Sequence, residues 1–153
     1  MRIEPVAFAM LIGSLLVADV GSAGRGSVNR IATVSIGKHF DKSAIAEITA
    51  VVDPVLAPLG FVRMSEEEQK RTFGNTENPA VYYKAEGQAF AYLMADWRNL
   101  DCIAISVTDF TRPAEERIIP VINAIASAML QRYGSAMKLY SDGNCLHVIP
   151  PRP

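Results

Sequence analysis

Four residues of this chain have side chains reactive enough to suggest chemistry: two cysteines and two histidines. Cys102 and Cys145 are the only cysteines, and an even number of cysteines in an exported chain indicates a disulfide. Such a bond would close a long loop and stabilise the fold by about 3 to 4 kcal/mol on the chain-entropy model. The alternative is two separate thiols. We favour the disulfide, because the strand register described below places both cysteines on one face of a sheet.

The two histidines, His39 and His147, are the candidate general bases. A small hydrolase or transferase that uses one of them with a nearby acid is therefore the alternative function. The chain has no Gly-x-Ser-x-Gly elbow or comparable nucleophile signature, and its glycine-rich stretches lack the strand and helix context of phosphate loops. His147 and Cys145 would supply only two ligands, too few for a zinc site. The sequence therefore predicts no identifiable catalysis, no metal and no cofactor.

Composition limits the class of protein and the kind of partner. Hydrophobic residues make up 50% of the 153 positions and charged residues 20%, which is typical of one globular domain with an adequate core. The formal net charge is -1, and the Lys70-Arg71 pair is too small a basic cluster to bind a phosphate backbone. We therefore expect no nucleic-acid partner.

Residues 1–23 have the pattern of a secretory signal peptide. Arg2 precedes an apolar stretch that starts at Val6 and ends at Ala18. It is about 13 residues long, well below the roughly 20 needed to cross a bilayer, so a cleaved signal is favoured over an anchor or a buried helix. Small residues at Gly21 and Ala23 suit cleavage after Ala23. The sequence therefore predicts a periplasmic or secreted protein that meets the membrane only through this export signal.

Positions 80–109 are typical of three consecutive antiparallel strands. Gly87-Gln88 fits a two-residue type II′ turn, and Trp97 to Leu100 a four-residue loop. This register places the large side chains on one core face: Val81, Tyr83, Ala85, Phe90, Tyr92, Met94, Ile103, Ile105 and Val107. The outer face then receives a mixed set: Tyr82, Lys84, Glu86, Ala89, Ala91, Leu93, Cys102, Ala104, Ser106 and Thr108.

Two amphipathic helices are predicted on either side of these strands in the chain. The first begins after an N-cap at Asp41 and meets a kink or restart at Pro54. The second begins at Thr111, has its apolar stripe from Ile118 onwards and bends early at Pro120. Before the first helix, residues 24–40 are predicted to be a linker or an edge strand.

A final hairpin is predicted around the Asp142-Gly143 turn, which is a type I′ signal. Its strands, 136–140 and 145–149, would bring Met137, Leu139, Leu146 and Val148 together and place Lys138, Tyr140, Cys145 and His147 on the opposite face. Residues 150–153 form a Pro-rich tail that cannot extend a sheet. The sequence thus predicts a single α+β domain at 41–149, a two-layer sandwich of five to six mainly antiparallel strands with both helices on one face.

The function that follows is binding or assembly through the outer sheet face, because that face is not cleanly polar. The hairpin tip at Trp97 adds a recognition residue, although this tryptophan could instead fold over the core edge. The expected partner is a second copy of the chain or an envelope protein. The candidate contact residues are Tyr82, Leu93, Trp97, Tyr140 and His147.

Overall fold

The computed structural model describes residues 28–96, 98–113 and 116–150. The predicted signal peptide at 1–23 and the side chain of Trp97 lie outside these residues. In the part that the structure describes, no helix is long and apolar enough to cross a membrane.

Within the described residues, the core of the fold is one antiparallel sheet of six strands. The strands are β1 (Val28–Ser35), β2 (Val62–Arg63), β3 (Ala80–Ala85), β4 (Ala89–Asp96), β5 (Asn99–Asp109) and β6 (Lys138–Tyr140). Their order across the sheet is β2-β3-β4-β5-β1-β6. Strand β1 therefore lies inside the sheet, between β5 and β6, and is neither a linker nor an edge strand. The two edges are the short strands β2 and β6, a common way to limit edge-to-edge association.

In the part of the chain that the structure describes, three α-helices accompany the sheet: α1 (Lys42–Leu56), α2 (Glu66–Phe73) and α3 (Ile118–Tyr133). Helices α1 and α3 contact each other and pack on one face of the sheet, which confirms the predicted α+β sandwich. Their buried side chains meet those of the inner sheet face, and the largest fully buried ones are Phe40, Ile48, Leu56, Phe61, Tyr83, Leu93, Ile103, Ile105, Ile118, Ile122, Ile125 and Met129. This layer is the hydrophobic core.

The start of α1 is as predicted. Asp41 Oδ1 accepts the amide of Ala44 at 2.9 Å, so Asp41 is the N-cap. The same amide lowers the pKa of the Asp41 carboxyl. The helix does not restart at Pro54: it continues to Leu56 and then tightens into a 3-10 turn.

The start of α3 differs from the prediction. The helix begins at Ile118, not at Thr111, whose hydroxyl donates to Asp109 at 2.8 Å. Pro120 consequently falls in the first helical turn. Because the amides of that turn have no intrahelical partner, a proline costs little there and does not require a bend.

The predicted register of β4 is wrong by one residue. The β3–β4 loop contains three residues, Glu86 to Gln88, so Ala85 pairs with Ala89. Gly87 and Gln88 both have positive φ, 77° and 59°, whereas a type II′ turn needs this only at its first central residue. A one-residue shift exchanges the two faces of a strand. The inner face of β4 therefore carries Ala89, Ala91, Leu93 and Ala95, and its outer face carries Phe90, Tyr92 and Met94.

The predicted C-terminal hairpin is also replaced by another arrangement. Strand β6 pairs with β1, with Leu139 opposite Val34, and only the isolated bridge from Tyr140 to Val148 joins it to the following segment. Leu146 is exposed instead of packing beside Leu139. Residues 141–147, which we call the strap, form a loop because the side chain of Asp142 satisfies several of its amides locally.

Candidate functional site

An aromatic cluster lies on the outer face of the sheet, the face turned away from α1 and α3. We call it the aromatic patch, and it consists of Phe73, Tyr82, Phe90, Tyr92 and Met94. The Phe73 ring stacks on Tyr82 with centroids 4.6 Å apart and meets Phe90 edge-on at 5.5 Å. Tyr82 and Tyr92 are also 5.5 Å apart. Such offset and edge-to-face contacts are the favourable geometries for aromatic rings, so the rings hold one another in place.

Helix α2 brings Phe73 to this patch although the helix has no buried residue. Ser65 caps its first turn by accepting the amide of Glu68 at 3.2 Å. Gln69 donates to the carbonyl of Met64 at 2.9 Å, and Glu68 forms an ion pair with Lys84 of β3. The contact with Lys84 lowers the pKa of the Glu68 carboxyl. These links hold the helix against the outer face, where Phe73, its last residue, packs on Tyr82 and Phe90.

Exposure within the patch is uneven. Tyr82 is only 5% exposed because Phe73 lies on it, and Phe73 itself is 40% exposed. Phe90, Tyr92 and Met94 are each half-buried. The patch therefore offers solvent a preordered aromatic surface, bounded by the Glu68–Lys84 ion pair on its polar rim.

A disulfide joins Cys102 to Cys145, with their Cα atoms 5.7 Å apart and a sequence separation of 43. Cys102 lies on the outer face of β5, next to the inward-facing Ile103. Because β1 separates β5 from β6, the strap crosses β1 to make this bond. Gly143 O then lies 3.5 Å from Cys102 Sγ, and Cys145 Sγ lies 3.9 Å from Val34 O.

The strap is organised by Asp142. Its carboxylate accepts the amides of Asn144, Leu146 and His147 at 3.3, 3.1 and 2.8 Å. These hydrogen bonds lower the pKa of the carboxyl, the one from His147 most strongly. The His147 ring itself is 76% exposed, with Nδ1 at 3.7 Å from Asp142 Oδ1.

His39 also has an acidic neighbour. His39 Nδ1 lies 2.8 Å from Asp101 Oδ1, and the two side chains are 68% and 51% exposed. An aspartate can orient an imidazole that acts as a general base. A base works best in a site from which water is excluded, and neither His39 nor His147 lies in one. The surroundings of the two histidines therefore give little support to the predicted hydrolase or transferase.

The candidate contact residues do not form one site. Tyr82 belongs to the aromatic patch, whereas Leu93 is fully buried in the core and is no surface residue. Trp97 lies outside the described side chains. Tyr140, whose hydroxyl is 3.1 Å from that of Ser35, lies on β6, four strand spacings or roughly 19 Å from β3. His147 lies in the strap on that same side.

Sequence reasoning missed four members of the patch. Phe90, Tyr92 and Met94 were assigned to the core because a two-residue turn at Gly87-Gln88 places them on the face that carries Val81, Tyr83 and Ala85. Phe73 was not singled out because the surrounding segment is strongly polar. The length of the β3–β4 turn was the signal that could have corrected these three assignments, since Gly87 also fits a three-residue loop.

Sequence reasoning also missed a buried polar cluster at the end of β5. The Asp109 side chain is fully buried and accepts from the amide and hydroxyl of Thr111 at 2.7 and 2.8 Å. Arg117 donates to Asp109 at 3.2 Å and to the carbonyl of Glu86 at 2.7 Å. Burial alone would raise the pKa of Asp109, but these partners outweigh it and the pKa is lowered. The cluster ties the β3–β4 loop to the start of α3 and is structural.

No protein-family model matches this chain, and no curated protein matches it. Among the described residues, no three His, Cys, Asp or Glu side chains come close enough to hold a metal ion.

Proposed function

We propose that this chain is an exported α+β protein that acts by binding or assembly through its aromatic patch. The observation that carries the proposal is the cluster of four aromatic rings and Met94 on the outer sheet face, in which all members except the buried Tyr82 are partly exposed. Aromatic residues and methionine are enriched at protein interfaces, and contiguous apolar surface on a soluble protein commonly marks a contact site. The partner is a second copy of the chain or an envelope protein.

The order within the patch supports this proposal. A contact surface loses affinity when binding must immobilise its side chains. Phe73, Tyr82 and Phe90 already restrain one another, so little rotamer freedom remains to be lost on association. Glu68 and Lys84 supply a polar rim of the kind that surrounds interface cores.

Export is supported by the disulfide. Structural disulfides persist in oxidising compartments and are rare in the cytosol of most organisms. The Cys102–Cys145 bond therefore fits a periplasmic or secreted protein. The signal-peptide pattern of residues 1–23 independently favours export.

The test is site-specific photo-crosslinking in the native cells. A photoreactive phenylalanine analogue replaces Tyr92 in one variant and Ala50, an exposed residue of α1, in a matched control. We expect a cross-linked species from position 92 alone, and we expect Phe90→Ser in the same chain to reduce it. No cross-link at position 92, or equal products from both positions, would contradict the proposal.

A hydrolase or transferase that uses His39 or His147 remains the alternative function. Its support is limited to the acid beside each imidazole, Asp101 at 2.8 Å and Asp142 at 3.7 Å. If it were correct, His39→Ala or His147→Ala would abolish an activity found with ester, amide or phosphate substrates. Retention of that activity by both variants would exclude this alternative.

A further inference from the structure

We propose that the strap, residues 141–147, is a redox-controlled cover: a dithiol reductant opens the Cys102–Cys145 bond and releases the strap while the rest of the domain stays folded. This inference goes beyond binding at the aromatic patch and does not depend on it. It concerns the other half of the outer face, where β5, β1 and β6 lie side by side.

The disulfide is the main attachment of the strap to the sheet. Leu146 is 72% exposed, and the imidazole of His147 is exposed as well. Their burial therefore contributes little hydrophobic stabilisation. At the base of the strap, the Ser141 amide donates to the carbonyl of His147 at 3.0 Å. This hydrogen bond closes the loop on itself and does not fasten it to β5.

The strap has its own internal structure. The three amides that Asp142 accepts all belong to the strap. Compact surface loops whose ends lie close together can keep their shape without help from the scaffold. Released from β5, the strap would therefore move as a unit about its base at Ser141 and His147.

The closed strap covers polar and reactive groups of the sheet. Cys102 is 1% exposed and Ser35 is 6% exposed, although both lie on the outer side of the sheet. Gly143 lies directly over Cys102. Opening of the strap uncovers this end of β5 and β1 and gives the outer face a second accessible region beside β6.

The backbone at Cys145 also favours release. Its φ is 57°, in the left-handed region that side chains other than glycine, asparagine and aspartate seldom adopt. Opening of the bond to Cys102 removes one restraint on this residue, while the Asp142 carboxylate still holds the amides on either side of it.

The chemistry is thiol–disulfide exchange. A thiolate of the dithiol attacks Cys145 Sγ, because Cys145 is partly exposed and Cys102 is buried. The Sγ–Sγ bond breaks, its electron pair leaves on Cys102 Sγ, and this sulfur takes a proton. The second thiolate of the reductant attacks the mixed disulfide and releases the Cys145 thiolate, which is also protonated. The dithiol ends as a disulfide, and two electrons and two protons have moved to the protein.

The test measures whether Cys102 becomes accessible without unfolding. In the full chain carrying Cys145→Ser, iodoacetamide alkylation of Cys102 is timed in buffer and in denaturant. The matched control places a thiol on the inner face with Ala91→Cys in a Cys102→Ser/Cys145→Ser chain, since Ala91 is fully buried in the core. If the strap opens locally, we expect Cys102 to react in buffer within about tenfold of its rate in denaturant. We expect the cysteine at position 91 to react roughly a thousandfold or more slowly in buffer than in denaturant.

Each other result overturns the inference. Slow reaction at both positions would mean that the strap stays closed without the bond, and fast reaction at both would mean that the whole domain opens. If Cys145→Ser does not fold, the wild-type chain is treated with dithiothreitol and hydrogen exchange is followed in β4 and β5. Retained protection there, with iodoacetamide alkylation of Cys102 in the reduced chain, supports local opening of the strap. Loss of protection in β4 and β5 contradicts it.

Discussion

Arg117 and Asp109 form a buried ion pair between the end of β5 and the start of α3. The guanidinium Nη1 lies 3.2 Å from Asp109 Oδ2, and the two side chains are 11% and 0% exposed. Arg117 also lies over the Phe61 ring, 5.9 Å from its centroid. The pair therefore joins the sheet, the α3 start and the β3–β4 loop at one place.

Removing the positive charge of this pair should destabilise the fold strongly. Arg117→Met leaves the Asp109 carboxylate buried without its counter-charge, and loss of one partner of a buried pair costs about 3 to 5 kcal/mol. Urea unfolding followed by circular dichroism measures the change. The control is Arg132→Met, which breaks the exposed pair with Glu47 and should cost less than about 1 kcal/mol. Equal losses from the two variants would contradict the structural role of Arg117.

The same carboxyl should make stability depend on pH. Because the pKa of Asp109 is lowered in the folded state, its contribution is fully present above the ordinary aspartate pKa of about 3.9 and is lost as the pH falls through the folded value. The free energy of unfolding of the wild-type protein should therefore decline below about pH 4. Asp109→Asn should be less stable at neutral pH and decline less steeply on acidification. Parallel curves for the two proteins would rule out this contribution.

The disulfide should contribute measurably to stability. On the chain-entropy model, a separation of 43 residues corresponds to a stabilisation of about 4 kcal/mol. Without the bond the strap is also freer in the folded state, so the measured loss of stability should be smaller than this value. We expect Cys102→Ser/Cys145→Ser to lower the free energy of unfolding by about 2 to 4 kcal/mol without changing the far-ultraviolet circular dichroism spectrum. An unchanged unfolding midpoint would show that the bond adds nothing to the fold.

Truncation of two neighbouring residues of β4 should destabilise the fold to different extents. Leu93→Ala opens a cavity in the core and should cost about 3 kcal/mol. Tyr92→Ala lies on the outer face, where a half-buried side chain leaves no enclosed void, and should cost about 1 kcal/mol. Paired denaturation curves give both values. If Tyr92→Ala were the more damaging change, β4 would have the register first predicted from sequence.

The N-terminus of the native protein is a separate prediction. Signal peptidase cleavage after Ala23 should give a mature chain that begins at Gly24. Protein purified from the native compartment and subjected to N-terminal sequencing provides the check. A chain that begins at Met1 would contradict cleavage.

The sequence predicted those features that depend on local chemistry or on strong periodicity. Asp41 was identified as an N-cap because its carboxylate can satisfy first-turn amides, and the α+β sandwich followed from the apolar stripes of α1 and α3. The register of β4 could not be fixed in this way. It depends on Gln88 taking a positive φ, which non-glycine residues seldom adopt and sequence does not reveal.

The aromatic patch was hidden for a different reason. Placing Phe90 and Tyr92 inside satisfies the usual preference for buried rings. On the outer face, Phe90 packs against Phe73 of α2, and Tyr92 packs against Tyr82, on which Phe73 is stacked. The contacts of Phe73 join distant parts of the chain and depend on tertiary structure.

The insertion of β1 between β5 and β6 has a consequence for how the molecule folds. Val28 pairs with Asp109, so the first strand finds its inner neighbour only after two thirds of the chain has been made. Contacts so distant in sequence carry a large loop-closure cost and slow the folding of a domain. The hairpins from β3 to β5 join neighbouring segments and can form early. Strand β1 can pair only after β5 is present, and β6 can pair only after β1 is in the sheet.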